Sequence, residues 1–272
     1  MVQHMIFDDV VGVRGGGDLA TGTIHKLHRC GFRVLVLEVP NPTAIRRKVS
    51  FSEAIYDGKI EIEGITAIHV DDLDKMKETW KNKNIPIMID PKGRWLKEVK
   101  PNIVVDAIIA KKNLGTTKNM AEITIALGPG FIAGEDVDVV IETARGHDLG
   151  RLILKGEAKK NTGIPGLIGG YSKERVLHSP CDGNINNRKD IGDFVEKDET
   201  IAYIGNTPIK AKLSGILRGI IRDGSLVKKG FKIGDIDPRL SEYNNCYTIS
   251  DKARNIAGGV LEAILYMKNN KR

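Results

Sequence analysis

Long apolar runs are missing from this sequence: none approaches the roughly 18 to 20 residues that a membrane-spanning helix needs. Met1 to Asp9 has neither the basic start nor the apolar stretch of a secretory signal, so a cytoplasmic location with no membrane partner is expected. Cysteine is scarce. Cys30, Cys181 and Cys246 stand far apart with no CxxC pair, which argues against a disulfide framework and against a cysteine-built zinc site. No metal is expected. Aromatic residues make up only 5% of the chain, too few for the stacking platforms of single-strand binders, and the basic residues are scattered singly. Nucleic acid is therefore not an expected partner, although the net charge is +7. Acidic residues run short mainly toward the end. Residues 172–272 hold 18 Lys+Arg against 13 Asp+Glu, an excess that favours small anionic partners.

What is present describes a globular chain of 272 residues, 41% hydrophobic and rich in turn glycines, long enough for two units. Val10-Val11-Gly12-Val13 reads as a buried strand, Thr21 to Arg29 as a helix, and Arg33 to Glu38 as a second strand. Between strand and helix lies Gly15-Gly16-Gly17-Asp18-Leu19-Ala20, a Gly-x-Gly-x-x-Ala turn matching the dinucleotide fingerprint. The first glycine allows the tight turn, the second lets backbone approach a pyrophosphate, and Ala20 permits close packing of helix on strand. Glu38 closes the second strand where an acidic side chain meets a ribose hydroxyl. Asp18 either competes with a phosphate for the helix N-terminus or caps the helix. Arg46 and Arg47 follow in a basic run placed to hold a phosphate, with a solvated loop as the plainer alternative.

Lys59 to Val70 alternates around Gly64 like a hairpin, Asp72 to Lys83 is helical in pattern, and residues 85–90 and 103–109 read as buried strands. Two further strand candidates, Ile123 to Leu127 and Val137 to Ile141, run into glycine-rich loops. The second loop carries Arg145, His147, Asp148 and Arg151: His147 and Asp148 suit proton transfer, and the two arginines suit an anion clamp. A turn that uses His and Asp only to cap backbone groups is the alternative.

The second half repeats itself with an offset of 32 residues. Gly183 matches Gly215, Gly192 matches Gly224, Val195 matches Val227 and Ile204 matches Ile236 without a gap. Short apolar strands in two copies resemble the barrel-sandwich hybrid of biotinyl and lipoyl carriers, but the tip joining the halves is Gly205-Asn206-Thr207-Pro208, with Lys210 beyond it. A docking module, a lid over the nucleotide site or a purely structural appendage fits better than a swinging arm. Ser250 then starts a last helix with Ile256, Val260, Leu261, Ile264 and Leu265 as its stripe, and Gly258-Gly259 weakens it unless something packs closely there. Cys246, just before that helix, is either a nucleophile with a lowered pKa or an inert buried thiol.

The expected fold class is α/β: a Rossmann-like, mostly parallel sheet over residues 1–171, a small β barrel-sandwich hybrid over 172–240 and a C-terminal helical segment over 241–272. Arg14 to Gly22, Pro42 to Phe51, Thr143 to Arg151 and Thr248 to Arg254, in that order, resemble the YqeB family. The resemblance implies an accessory role in maturing selenium-dependent molybdenum hydroxylases, through handling of the molybdopterin cytosine dinucleotide cofactor or delivery of selenium. The implied partner is such a hydroxylase, and the implied ligand is a nucleotide-containing small molecule. An NAD(P)-dependent oxidoreductase is the alternative, with His147 as proton donor and Arg46 or Arg47 selecting the extra phosphate of NADP.

Overall fold

A computed structural model describes residues 9–270. The expectation about the start of the chain rests on residues 1–8, which lie outside them. Among the described residues no helix is long and apolar enough to cross a membrane. The chain divides into two compact units, one built from the residues up to 42, 50–161 and those from 249 onward, the other from 43–49 and 162–248. These differ from the expected segments: the last helix belongs to the first unit, and the short 43–49 segment belongs to the second.

The first unit runs β1 (Val10–Arg14), α1 (Asp18–Arg29), β2 (Arg33–Glu38), α2 (Ala54–Asp57), β3 (Lys59–Ile62), β4 (Ile65–His69), α3 (Leu73–Lys81), β5 (Ile85–Ile89), α4 (Arg94–Val99) and β6 (Ile103–Asp106). It continues with β7 (Ile123–Leu127), β8 (Ile132–Ala133), β9 (Val139–Ile141), β10 (Leu152–Ile153) and β11 (Gly156–Glu157), and closes with α5 (Asp251–Asn270). Nine strands form one sheet in the order β10-β9-β7-β6-β1-β2-β5-β4-β3. The strands from β9 to β4 pair in parallel, while the edges β10 and β3 are antiparallel.

Both faces of the sheet are covered, which is why its strands read as unbroken apolar runs. Val11, Val13, Val34 and Val36 face α1 and α5, packing with Ile24, Leu27, Ile256 and Val260. Leu35, Leu37 and Val104 belong to the opposite cluster, with Met76 of α3 and Leu96 of α4. Each such side chain contributes about 1.5–3 kcal/mol by leaving water. Helix α1 starts three residues earlier than its apolar pattern suggests, because Gly17 is its N-cap residue; Asp18 is the first helical residue, not the cap. Strand β6 ends at Asp106 rather than Ile109, whose backbone is left-handed. Helix α4 escapes the sequence reading, and the Asp90 carboxylate starts it by accepting the Arg94 and Trp95 amides at 2.7 and 2.8 Å.

The second unit contains β12 (Val176–His178), β13 (Gly183–Asn187), β14 (Phe194–Val195), β15 (Thr200–Ile204), β16 (Thr207–Lys210), β17 (Gly215–Ile220), β18 (Leu226–Val227) and β19 (Lys232–Asp237). The 32-residue offset holds strand by strand. Val195 pairs with Gly215 as Val227 pairs with Gly183, and Ile185 pairs with Ile204 as Leu217 pairs with Ile236. Each half therefore lends its two-residue strand to the sheet of the other. The copy also reaches one strand further back than the sequence match, since Leu177 opposes Gly234 as Ile209 opposes Ala202.

The expected fold class needs correction in both parts. The parallel α/β sheet is there, but the crossovers from β6 to β7 and from β7 to β9 contain no α-helix, and antiparallel strands close both edges, so the regular alternation of a Rossmann-like fold is broken. The repeat forms two separate four-stranded antiparallel sheets, β12-β19-β17-β14 and β16-β15-β13-β18, with no ladder joining them among the described residues. It is not the biotinyl/lipoyl-like barrel-sandwich hybrid that the repeat suggested. Repetition of short apolar strands dictates mutual burial, not closure.

Candidate functional site

In an open parallel sheet a ligand crevice forms outside the carboxyl ends of the strands, where the strand order turns back. Here that point lies between β1 and β6, since the chain travels from β1 to β2 and β5 on one side and resumes at β6 on the other. The glycine loop occupies this position. Gly15 has a φ of +97° and donates its amide to the Leu37 carbonyl at 2.8 Å. A Cβ there would meet the Ala107 carbonyl oxygen at 3.0 Å, so both conformation and crowding require glycine. Gly17, by contrast, faces open space: a Cβ on it would meet nothing within 4 Å, and as N-cap of α1 it offers no side chain to the first helical amides. Ala20 is buried against the sheet.

The structure brings Glu38 to the glycine loop, where the contact is made with the loop itself. Its two carboxylate oxygens accept the Gly16 amide at 2.7 Å and the Val39 amide at 2.8 Å. Burial pushes this carboxyl above its ordinary value, with the two amides working in the opposite direction. Asp18 lies at the start of α1 and Lys252 at the start of α5, close enough to interact electrostatically. Sequence reasoning missed a buried cluster at the carboxyl ends of β1 and β6. The Arg14 guanidinium bonds Thr116 and approaches Asp106 at 3.5 Å, and Thr116 donates to Asp106 at 2.5 Å. Its one visible signal is the pair of charged residues that end β1 and β6, two strands otherwise apolar.

The second expected site also lies in the first unit. Glu142, buried at the end of β9, accepts the Ala144 amide at 2.7 Å and the Lys159 amide at 2.9 Å and so shapes the loop that carries the named residues. His147, Asp148 and Arg151 line one open cleft of about 620 Å³ with Asn255, Gly258, Gly259 and Glu262 of α5. Asp148 is held below the usual carboxylate range, first by a hydrogen bond from Lys159 at 2.5 Å and then by the nearby Arg151. It is thus an ionised partner of lysine and suits anchoring better than proton delivery. Arg145 turns instead to Asp251 at 3.5 Å.

The remaining candidates belong to the second unit and are occupied there. Arg46, buried, donates to the Asn245 and Thr248 carbonyls at 2.8 and 2.9 Å. Arg47 donates to the Ile220 carbonyl at 2.8 Å and to Asp190 at 2.7 Å. Both hold the 43–49 segment in place. Cys246 is buried in the apolar cluster of this unit, where desolvation pushes its thiol up and Arg218 and Arg46 only partly offset the effect. That is the environment of an inert thiol. Among the described residues no group of three or more His, Cys, Asp and Glu side chains is arranged to hold a metal ion.

No protein-family model matches the chain. Over 266 residues, 97% of its length, it is 49% identical to a protein of Escherichia coli strain K12 named "Uncharacterized protein YqeB", and that identity supports the resemblance to the YqeB family. The chain spans about half, 49%, of that relative's length. Among solved structures, an aspartoacylase family protein from Mesorhizobium loti is aligned at 12% identity and a TM-score of 0.26, over 79% of this chain and 60% of the other. The ectoine utilization protein EutE (DoeB) from Ruegeria pomeroyi, in a product-bound structure, aligns at 11% identity and 0.26, over 84% of each chain. A succinylglutamate desuccinylase/aspartoacylase from Rhodobacter sphaeroides aligns at 11% and 0.27, over 85% and 86%. Likeness at these scores carries no assignment of function.

Proposed function

We propose that this chain, similar over nearly its whole length to a YqeB protein, is an accessory factor in the maturation of selenium-dependent molybdenum hydroxylases. In this reading it holds a nucleotide-containing ligand, such as the molybdopterin cytosine dinucleotide cofactor, at the glycine loop. The observation that supports it most is the position of that loop. Gly15–Gly17 stands where the strand order turns back, with an open Cα face at Gly17, the N-cap residue of α1, which has no side chain to offer the first helical amides. Such an end attracts phosphate through its amides and its dipole. Glu38 keeps the loop in shape by accepting the Gly16 amide.

Calorimetric titration with the cytosine dinucleotide cofactor, NAD, NADP and simple nucleotides tests the site. Binding tighter than about millimolar, equivalent to roughly 4 kcal/mol, is expected for at least one of them, and its absence from all would reject the reading. Gly17→Val is expected to abolish binding while leaving the melting temperature unchanged, because the protein itself leaves that space open. The cellular role is tested by deleting the gene in a host that expresses such a hydroxylase. Loss of hydroxylase activity and of its labile selenium is expected, and full activity with normal selenium would overturn the role. The NAD(P) oxidoreductase alternative loses the arginines meant to select NADP, since Arg46 and Arg47 are engaged within the second unit. Substrate-dependent absorbance change at the reduced-nicotinamide band would restore it.

A further inference from the structure

The loop after β6 stores backbone strain beside the glycine loop. Ile109 and Lys111 hold φ values of +59° and +62°. This left-handed conformation is unfavourable for a residue with a side chain, most for a β-branched one. The loop is pinned at both ends. Asp106 receives the Thr116 hydroxyl, and Asn113 accepts the Gly115 and Thr116 amides at 2.8 Å while donating to the Thr116 carbonyl at 2.9 Å. It is also wedged from both sides: the Ala107 and Ile108 backbone presses on Gly15, and Gly130 of the turn after β7 admits the Lys112 backbone, whose Cα would stand 2.6 Å from a Cβ on Gly130. Lys111 and Lys112 are exposed and have no ion pair among the described residues.

Left-handed residues separated by residues of negative φ form the kind of backbone whose amides converge on anions. Adjacent strands lie about 5 Å apart, so the ends of β6 and β7 are within the span of a diphosphate-bearing molecule seated on the β1 loop. We infer that the 107–116 loop, through Lys111, Lys112 and its strained backbone, holds the phosphate-bearing part of the ligand across the crevice from Gly15–Gly17. This inference rests on the proposed reading that a ligand occupies the glycine loop. It gives the Gly128–Gly130 turn a purpose, which is to let the lysine-bearing loop approach.

The test is calorimetry with CDP, inorganic pyrophosphate and cytidine at low and physiological salt, on the wild type, on Gly17→Val and on a double variant with Lys111→Gln and Lys112→Gln. Both lysines are exposed, so the double variant should fold like the wild type. Its affinity for CDP and pyrophosphate is expected to fall about tenfold or more, with a flatter salt dependence and no change for cytidine. If Gly17→Val weakens CDP binding and the lysine variant does not, the inference is overturned and the glycine-loop site stands. If only the lysine variant weakens, the loop remains an anion site and the glycine loop is removed from it. Failure of the wild type to bind either CDP or pyrophosphate overturns the inference, while the glycine-loop reading then stands or falls with the titration of the whole cofactor and the dinucleotides.

Discussion

Glu63 joins three parts of the first unit at one carboxylate. It lies in the turn between β3 and β4, accepts hydrogen bonds from Arg254 of α5 on both oxygens at 2.6 and 2.7 Å, and accepts the Ile249 amide at 2.8 Å; His25 of α1 lies 3.9 Å away. Burial alone would raise this carboxyl, but the hydrogen bonds from Arg254 and Ile249 outweigh it and hold the group below its ordinary 4.5. A folded-state value below the unfolded one contributes stability above that ordinary value and loses it as the pH falls through the folded value. His25, lowered by burial, works in the same direction, because protonation favours the unfolded chain. Protection factors of the α5 amides, taken against the intrinsic exchange rate at each pH, are therefore expected to fall on acidification below 4.5, and Glu63→Gln should flatten that response. Parallel acid curves for the two proteins would rule out Glu63 as the cause. No feature of the sequence marks this residue, since a turn glutamate identifies itself only through a partner almost two hundred positions away. The same blindness explains Arg46 and Arg47: their charge is legible, but the carbonyls and the aspartate that occupy them are not.

Elements were more legible than residues. The buried runs of β1 and β2, the hairpin around Gly64 and the start of the last helix at Ser250 follow from local patterns, and Ser250 does accept the Ala253 amide at 3.2 Å. The 32-residue repeat was legible too, whereas the way its sheets pair was not, because register between copies is set by packing. Gly258-Gly259 shows how one local anomaly resolves into two different causes. A Cβ on Gly259 would lie 2.1 Å from the Gly150 carbonyl oxygen, while one on Gly258 meets only the end of Lys26 at 3.5 Å. Gly259→Ala should then destabilise by about 1–3 kcal/mol through overpacking. Gly258→Ala should stabilise by up to about 1 kcal/mol through helix propensity. Thermal denaturation of the two variants checks this. Shifts of the same sign would mean that α5 does not seat closely on the 142–151 loop.

At the scale of the whole molecule, each unit is assembled from segments that are distant along the chain, and no local pattern reveals this. The 43–49 segment leaves the first unit and completes the second, tied there by the Arg47 bonds to Ile220 and Asp190. Arg47→Ala removes both and leaves a carbonyl and a carboxylate to find new partners. A loss of about 1–3 kcal/mol is expected, localised by hydrogen exchange to residues 162–248. Uniform loss across both units, or none, would refute the role assigned to this segment.

The order in which a ribosome delivers these pieces follows from the same arrangement. Helix α5 supplies Ala253, Ile256, Val260 and Ile264 to the core that α1 enters through Ile24 and Leu27, yet it is synthesised after the entire second unit. Until it emerges, the part of that face that α1 leaves open lacks its cover, and the nascent chain presents this apolar surface while the intervening repeat is being made. Domains usually fold as they leave the ribosome, earlier ones first. Here the earlier unit must wait for the later one, which makes the interval before residue 251 the period of greatest exposure to chaperones and proteases.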